Sequence, residues 1–256
     1  MLEFLIVPFT NALVFIYNLV GNNFGIAIII FTIVVRLVTY PFTVQQMKSA
    51  RSTQELQNNP KWKEIQRKYK DNKEKLAQEQ MKLYQELGIN PLGACLPLLL
   101  QFPLLIAMYW AIQRALAATP LQLLDFSRGL FLPNAAELIP LNSRFLWMDL
   151  GQPERLHLDF LPFAIPVLTI LVVVTSYYQS KMMAPSSSNP NDQSAQMARS
   201  MNLTMPLMMG YFSLLFSAGL ALYFLTGNVF SIAQYYLMGR HKQQPGPAAA
   251  NAPKQN

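Results

Sequence analysis

Residues 24–43 read FGIAIIIFTIVVRLVTYPFT, an apolar run with one full positive charge, Arg36, inside it. A helix needs about 20 predominantly apolar residues to cross the hydrocarbon core of a bilayer, and this run has that length. A charge at the centre of such a helix costs on the order of 3 kcal/mol, so it usually faces protein or water. Thr32, Arg36, Thr39 and Thr43 follow one another at spacings of four, three and four, which places them on one helical face. Ile, Val and Phe fill the opposite face. The stretch therefore reads as a membrane helix with one wet stripe.

Two readings of Arg36 are open at this point. Its side chain can snorkel about 10 Å to the near interface, or it can serve a functional cavity. The polar stripe favours the cavity, as does the lack of any other formal charge between Glu3 and Lys48.

The surrounding composition fits a membrane setting. Hydrophobic residues make up 52% of the 256 and charged ones 13%, against about a quarter charged in ordinary soluble domains. The net charge of +7 is a local matter, because ten of the twenty Lys and Arg lie between Lys48 and Lys82. Cys95 is the single cysteine, so no internal disulfide exists, and His157 and His241 stand too far apart in sequence for a His-rich metal site.

Residues 1–21 are apolar but interrupted by Pro8 and dotted with Glu3, Thr10, Asn11 and Asn18, as in a helix lying at the outer interface. A true span there is the alternative. No Lys or Arg precedes the apolar run, so no cleaved signal is read. The first span follows at 22–43, then an abruptly polar segment at 44–93. In it, Asn58-Asn59-Pro60 and Asp71-Asn72 separate short helical stretches over 61–70 and 73–87. Trp62, Ile65 and Tyr69 would face Leu76, Met81, Leu83, Tyr84 and Leu87 in a helical hairpin.

Ten basic against six acidic residues put this hairpin in the cytoplasm. Its candidate contact residues are Trp62, Lys63, Arg67, Lys68, Lys70 and Lys73, suited to anionic lipid headgroups, incoming chains or ribosomal RNA. Further spans are read at 94–117, 160–183, 201–217 and 219–239. They are joined by an outer connection at 118–159 and an inner Pro/Ser/Asn loop at 184–200, and a basic disordered tail closes the chain at 240–256. In the outer connection, residues 145–148 are read as headgroup-belt residues. The fold class is an all-α integral membrane protein with five transmembrane helices, a cytoplasmic hairpin and an outer interfacial N-terminal helix. Its N-terminus is outside and its C-terminus inside.

The order of these features resembles the YidC/Oxa/Alb family of membrane insertases. The resemblance rests on Arg36 followed by Tyr40-Pro41-Phe42-Thr43, on Met81-Lys82-Leu83-Tyr84-Gln85-Glu86, and on Asn90-Pro91-Leu92-Gly93-Ala94-Cys95-Leu96-Pro97 with Gln101-Phe102-Pro103. It continues with Gln179-Ser180-Lys181-Met182, the run Ser217-Ala218-Gly219-Leu220-Ala221-Leu222-Tyr223 and Asn228 through Gln234, and covers roughly residues 5–240. Ala218 stands where the family often has Pro, and Phe224 where some members have Trp.

The resemblance implies a non-enzymatic insertase and chaperone without a cofactor. Its groove is partly hydrated, open to cytoplasm and lipid and closed on the outer side. Arg36 is its expected electrostatic centre, Thr32, Thr39, Gln179 and Asn228 its expected hydrators, and Tyr223 and Phe224 its expected substrate contacts. The expected partners are nascent membrane proteins, a Sec-type translocon, the ribosome and anionic lipid, with no DNA. The expected site is a bacterial plasma membrane, favoured over an organellar one because no transit peptide precedes Met1.

A small-solute transporter or channel is the competing class. It lacks support from any pair of matching interrupted spans, and none of the spans carries Asp or Glu. An intramembrane protease would need a Ser/His pair, an Asp pair or a metal cluster at membrane depth, and the two histidines fall outside the spans.

Overall fold

The computed structural model describes residues 3–45, 52, 59–69, 72–88, 96–116, 119–131, 139–156, 165–183 and 193–241. Helix α1 (Glu3–Leu19) is followed by α2 (Phe24–Val38). The Asn23 side chain caps α2 by accepting from the Ile26 amide at 3.0 Å. The helix breaks into a turn at Thr39 and resumes over 40–45. Pro41 explains the break, because its ring cannot donate to the ladder and crowds the preceding turn.

Two short helices, α3 (Pro60–Lys68) and α4 (Lys73–Glu86), pack as a hairpin. Asn59 caps α3, with Pro60 at its first position, and Asn72 caps α4. Then come α5 (Leu96–Ala115), α6 (Pro120–Arg128), a minimal hairpin of β1 (Arg144–Phe145) and β2 (Met148–Asp149), α7 (Val167–Met183), α8 (Gln193–Leu215) and α9 (Ala218–His241). The strands pair antiparallel, Arg144 opposite Asp149. No single helix among the described residues is long and apolar enough to cross a membrane; α1 and α2 are apolar but have 17 and 15 residues.

Side-chain contacts fix the helix directions. A Cβ on Gly219 would lie 3.3 Å from Ile28, and one on Gly227 would lie 2.6 Å from Arg36. Both pairs keep one sequence offset, so α2 and α9 run parallel. Thr169 meets Ser213 while Val173 meets Gly210, so α7 and α8 run antiparallel. Gln101 meets Tyr223 while Ile112 meets Gly219, so α5 opposes α9.

The main core lies at one end of this bundle. It joins Leu13, Val14 and Tyr17 of α1, Phe24 to Phe31 of α2, Met108 to Ala115 of α5, Leu168 and Val172 of α7, and Ala218 to Tyr223 of α9. Beyond Thr32 on α2 and beyond Val172 on α7, no described side chain is buried. On α5 none is buried between Gln101 and Ile106. The bundle is therefore closed at one end and open at the other.

Polar groups tighten the closed end. The amides of Ala218 and Gly219 donate to the carbonyls of Gln152 and Leu150 at 2.7 and 3.0 Å. The buried Glu154 carboxylate accepts from the Leu168 amide in the first turn of α7 and from Trp147 Nε1 at 2.8 Å, a placement the helix dipole favours. The α1 helix lies across this same end. Glu3 pairs with Arg114, Asn11 bonds to Gly129 and Phe131, and the Tyr17 hydroxyl accepts from the Asn142 amide.

Several expected boundaries move. The helix read from 160 starts at Val167, because Ile165 pairs as an isolated bridge with Leu156 and Pro166 precedes the first turn. The helix read from 201 starts at Gln193, so part of the expected inner loop is helical; Gln, Ala, Met and Arg in 193–199 are good helix formers despite their polarity. The outer connection contains α6, opened by a Thr119/Gln122 capping box, and the β-hairpin. Of the four residues expected in the headgroup belt, Met148 is buried and Phe145 lies on Gly25, while Leu146 and Trp147 are exposed. The tail from 242 and the Asn90–Cys95 part of the most specific motif lie outside the described residues.

Candidate functional site

The open half of the bundle carries a polar stripe built in layers between α2, α5, α7 and α9. Its floor lies next to the core. Thr32 is fully buried, with its hydroxyl donating to the Ile28 carbonyl at 2.6 Å. On α9, the Tyr223 hydroxyl accepts from Gln101 Nε2 at 3.2 Å, and the ring, itself buried, sits 5.7 Å from that of Phe224. Gln101 therefore joins α5 to α9 at the level where close packing stops.

One level further into the open half, the Arg36 guanidinium lies on Gly227 of α9. Only a residue without a Cβ lets the charged group rest on the helix backbone there. Arg36 is half-buried and, among the described residues, has no carboxylate partner. The α7 side of this level is held by Asn228, whose amide donates to Ser176 Oγ at 2.7 Å and to Thr175 Oγ1 at 3.2 Å. Gln179 stands one turn beyond, half-buried.

Toward the open end, Thr39, Thr43 and Ser231 each donate to a carbonyl of their own helix at 2.8, 3.1 and 2.8 Å. A hydroxyl whose proton is so engaged still offers acceptor lone pairs. Among the described residues the stripe thus presents Arg36 among hydroxyl and amide acceptors with no acid beside it, an arrangement that attracts water and acidic groups. Among the described residues, no cluster of His, Cys, Asp or Glu could hold a metal ion.

The expected residues divide accordingly. Arg36 and Asn228 stand at one level, on Gly227 and on Ser176, with Thr39 and Gln179 each one turn further along its own helix, while Thr32 and Tyr223 are buried in the floor and Phe224 packs at the core edge. The family resemblance extends over Asn228 through Gln234, but the sequence does not mark Gly227, Ser231 or Gln234 as site residues, because their placement depends on the register of α9 against α2. A glycine followed at four and seven residues by polar ones on one face was the available signal.

In the hairpin, Trp62 is buried and packs on Leu83 with Ile65, Leu76, Tyr84 and Leu87 around them, so it is core and not a contact residue. Met81, expected in that interface, is 49% exposed; five residues past Leu76 it is turned some 140° away from the seam. Tyr69 lies outside the cluster and its ring sits under Lys68 Nζ at 5.6 Å. Lys63 is half-buried, and Arg67 and Lys68 are exposed. Lys70 lies outside the described residues, as does the side chain of Lys73.

Comparison with known proteins gives the family. The family model described as 60Kd inner membrane protein matches residues 15–245. The chain is 39% identical to the membrane protein insertase YidC of Oceanobacillus iheyensis, over 86% of this chain and 76% of that protein. It is 32% identical to the insertase MisCA of Bacillus subtilis, over 98% and 85%, and 32% identical to YidC 2 of Bacillus anthracis, over 92% and 80%. Members of this family are insertases and not enzymes. With matches of this identity over most of its length, the chain belongs to the YidC/Oxa/Alb family of inner-membrane insertases.

Proposed function

We propose that the protein inserts and chaperones membrane proteins by drawing the short polar flank of a substrate helix into the Arg36 stripe and releasing the helix sideways into lipid. The observation that carries this reading is the asymmetry of the bundle: closely packed at one end, open at the other, with an acid-free cation at the boundary. In this reading the closed end faces outward and the open end faces the cytoplasm. The alternating helix directions suit five spans with the N-terminus outside and the C-terminus inside, and α1, bonded along its length to the closed end, suits an outer interfacial helix.

The physics is a shortened barrier. Each central Leu, Ile, Phe or Val of a substrate contributes about 0.3–0.6 kcal/mol on entering lipid, whereas the polar flank gains nothing until it has crossed. A wet half-groove shortens the dry distance, and Arg36 attracts an acidic flank. The floor of Thr32, Gln101 and Tyr223 keeps the membrane sealed beyond it. Asn228 holds α9 to α7, Thr39 and Gln179 offer sites to water, and Phe224, beside Tyr223 at the core edge, contacts the substrate. The exposed basic residues of α3 and α4 supply a surface for anionic lipid, nascent chains, the ribosome or a Sec-type translocon. The setting is the bacterial plasma membrane.

The test is complementation of cells depleted of their own insertase, scored by protease accessibility of a single-span substrate with an acidic flank. Arg36→Lys is expected to support insertion, and Arg36→Ala to lower it about tenfold, the factor for ~1.4 kcal/mol. Normal insertion by Arg36→Ala would refute the electrostatic role.

A further inference from the structure

Gln234 of α9 is 6% exposed, and among the described residues neither its Nε2 nor its Oε1 has a hydrogen-bond partner. Buried amides are nearly always paired, so an orphaned donor and acceptor on one side chain call for an explanation. Its position suggests one. Gln234 stands seven residues after Gly227, two turns along the same face of α9, and the α2–α9 register brings Thr43 to its level. Among the described residues of α9 beyond Tyr223, only Gly227 and Gln234 are buried. One carries Arg36, and the other carries an amide with nothing to bond.

We propose that Gln234 is a second recognition point of the stripe, at its mouth, which takes the uncharged polar and peptide groups of a translocated flank. The inference rests on the insertase reading. Arg36 only donates hydrogen bonds and selects acids. A primary amide donates and accepts, so it pairs with a peptide group or with Ser, Asn and Gln side chains, where a guanidinium discriminates poorly. The unpaired amide carries a penalty in the empty stripe, and an entering flank that supplies both bonds removes it.

The test uses the full chain in proteoliposomes and two single-span substrates differing only in the translocated flank, one rich in Ser, Asn and Gln and one acidic. Gln234→Met keeps the length and removes both polar atoms. It is expected to raise the thermal midpoint while lowering insertion of the uncharged flank about fivefold, the size of one lost hydrogen bond. The acidic flank should change less. Gln234→Asn, which retains the amide, should recover part of the insertion.

Wild-type insertion of the uncharged flank by a folded Gln234→Met overturns the proposal. So does an equal loss for both flanks with a lowered midpoint, which marks a structural residue. Failure of the wild type on both substrates overturns the insertase reading beneath it.

Discussion

A methyl group added at Gly227 would stand 2.6 Å from Nη2 of Arg36 and 3.4 Å from its Cζ. The clash falls on the far end of a flexible side chain, so the helices need not part. Alanine also favours helix over glycine by about 0.8–1.0 kcal/mol. Gly227→Ala is therefore expected to leave thermal stability unchanged or raised while lowering insertion of acidic-flank substrates, because the guanidinium is pushed off its seat. A fall in stability matched by equal losses on every substrate would mean that the glycine serves packing alone. Arg36 itself was legible from sequence, since a lone charge in an apolar run has few physical readings. Gly227 and Gln234 were not, because their meaning lies in the register between helices separated by nearly the whole chain.

At the scale of elements, the closed end depends on buried polar joints. Glu154→Ala would strip the partner from the buried Leu168 amide, at a cost of roughly 1–3 kcal/mol, and from Nε1 of the exposed Trp147, which can turn to solvent. A lowered midpoint with faster hydrogen exchange at the start of α7 is the expected result. The joint at α1 is weaker and pH-dependent. Hydrogen bonding to Arg114 holds the exposed Glu3 carboxyl below its usual value of 4.5. A lowered native pKa stabilises above the unfolded value and is lost as pH falls through the native one. Exchange protection of α1 should therefore drop only below pH 4.5, and Glu3→Gln should abolish the step. Most helices were legible as apolar runs or capped polar ones. The start of α8 is hidden in the sequence because residues 193–199 are polar while their helix propensity is good, and β1–β2 because two-residue strands leave no period to read.

At the scale of the whole molecule, the hairpin has its own small core around Trp62 and Leu83, distinct from the bundle core. Trp62→Ala should cost about 3–5 kcal/mol, more than so small a unit can spare. Exchange protection is expected to vanish in α3 and α4 and to persist in α2, α5, α7 and α9. Loss of protection throughout would show instead that hairpin and bundle unfold as one.

The central claim, a groove wet from the hairpin side and sealed from the other, is most directly tested by thiol labelling in a Cys95→Ser background. Ser231→Cys samples the open half and Thr32→Cys the floor, each a small substitution. A membrane-impermeant maleimide should label Ser231→Cys from the hairpin side of sealed vesicles and Thr32→Cys from neither side. A silent Ser231→Cys, or a Thr32→Cys that reacts from the opposite face, would contradict the account.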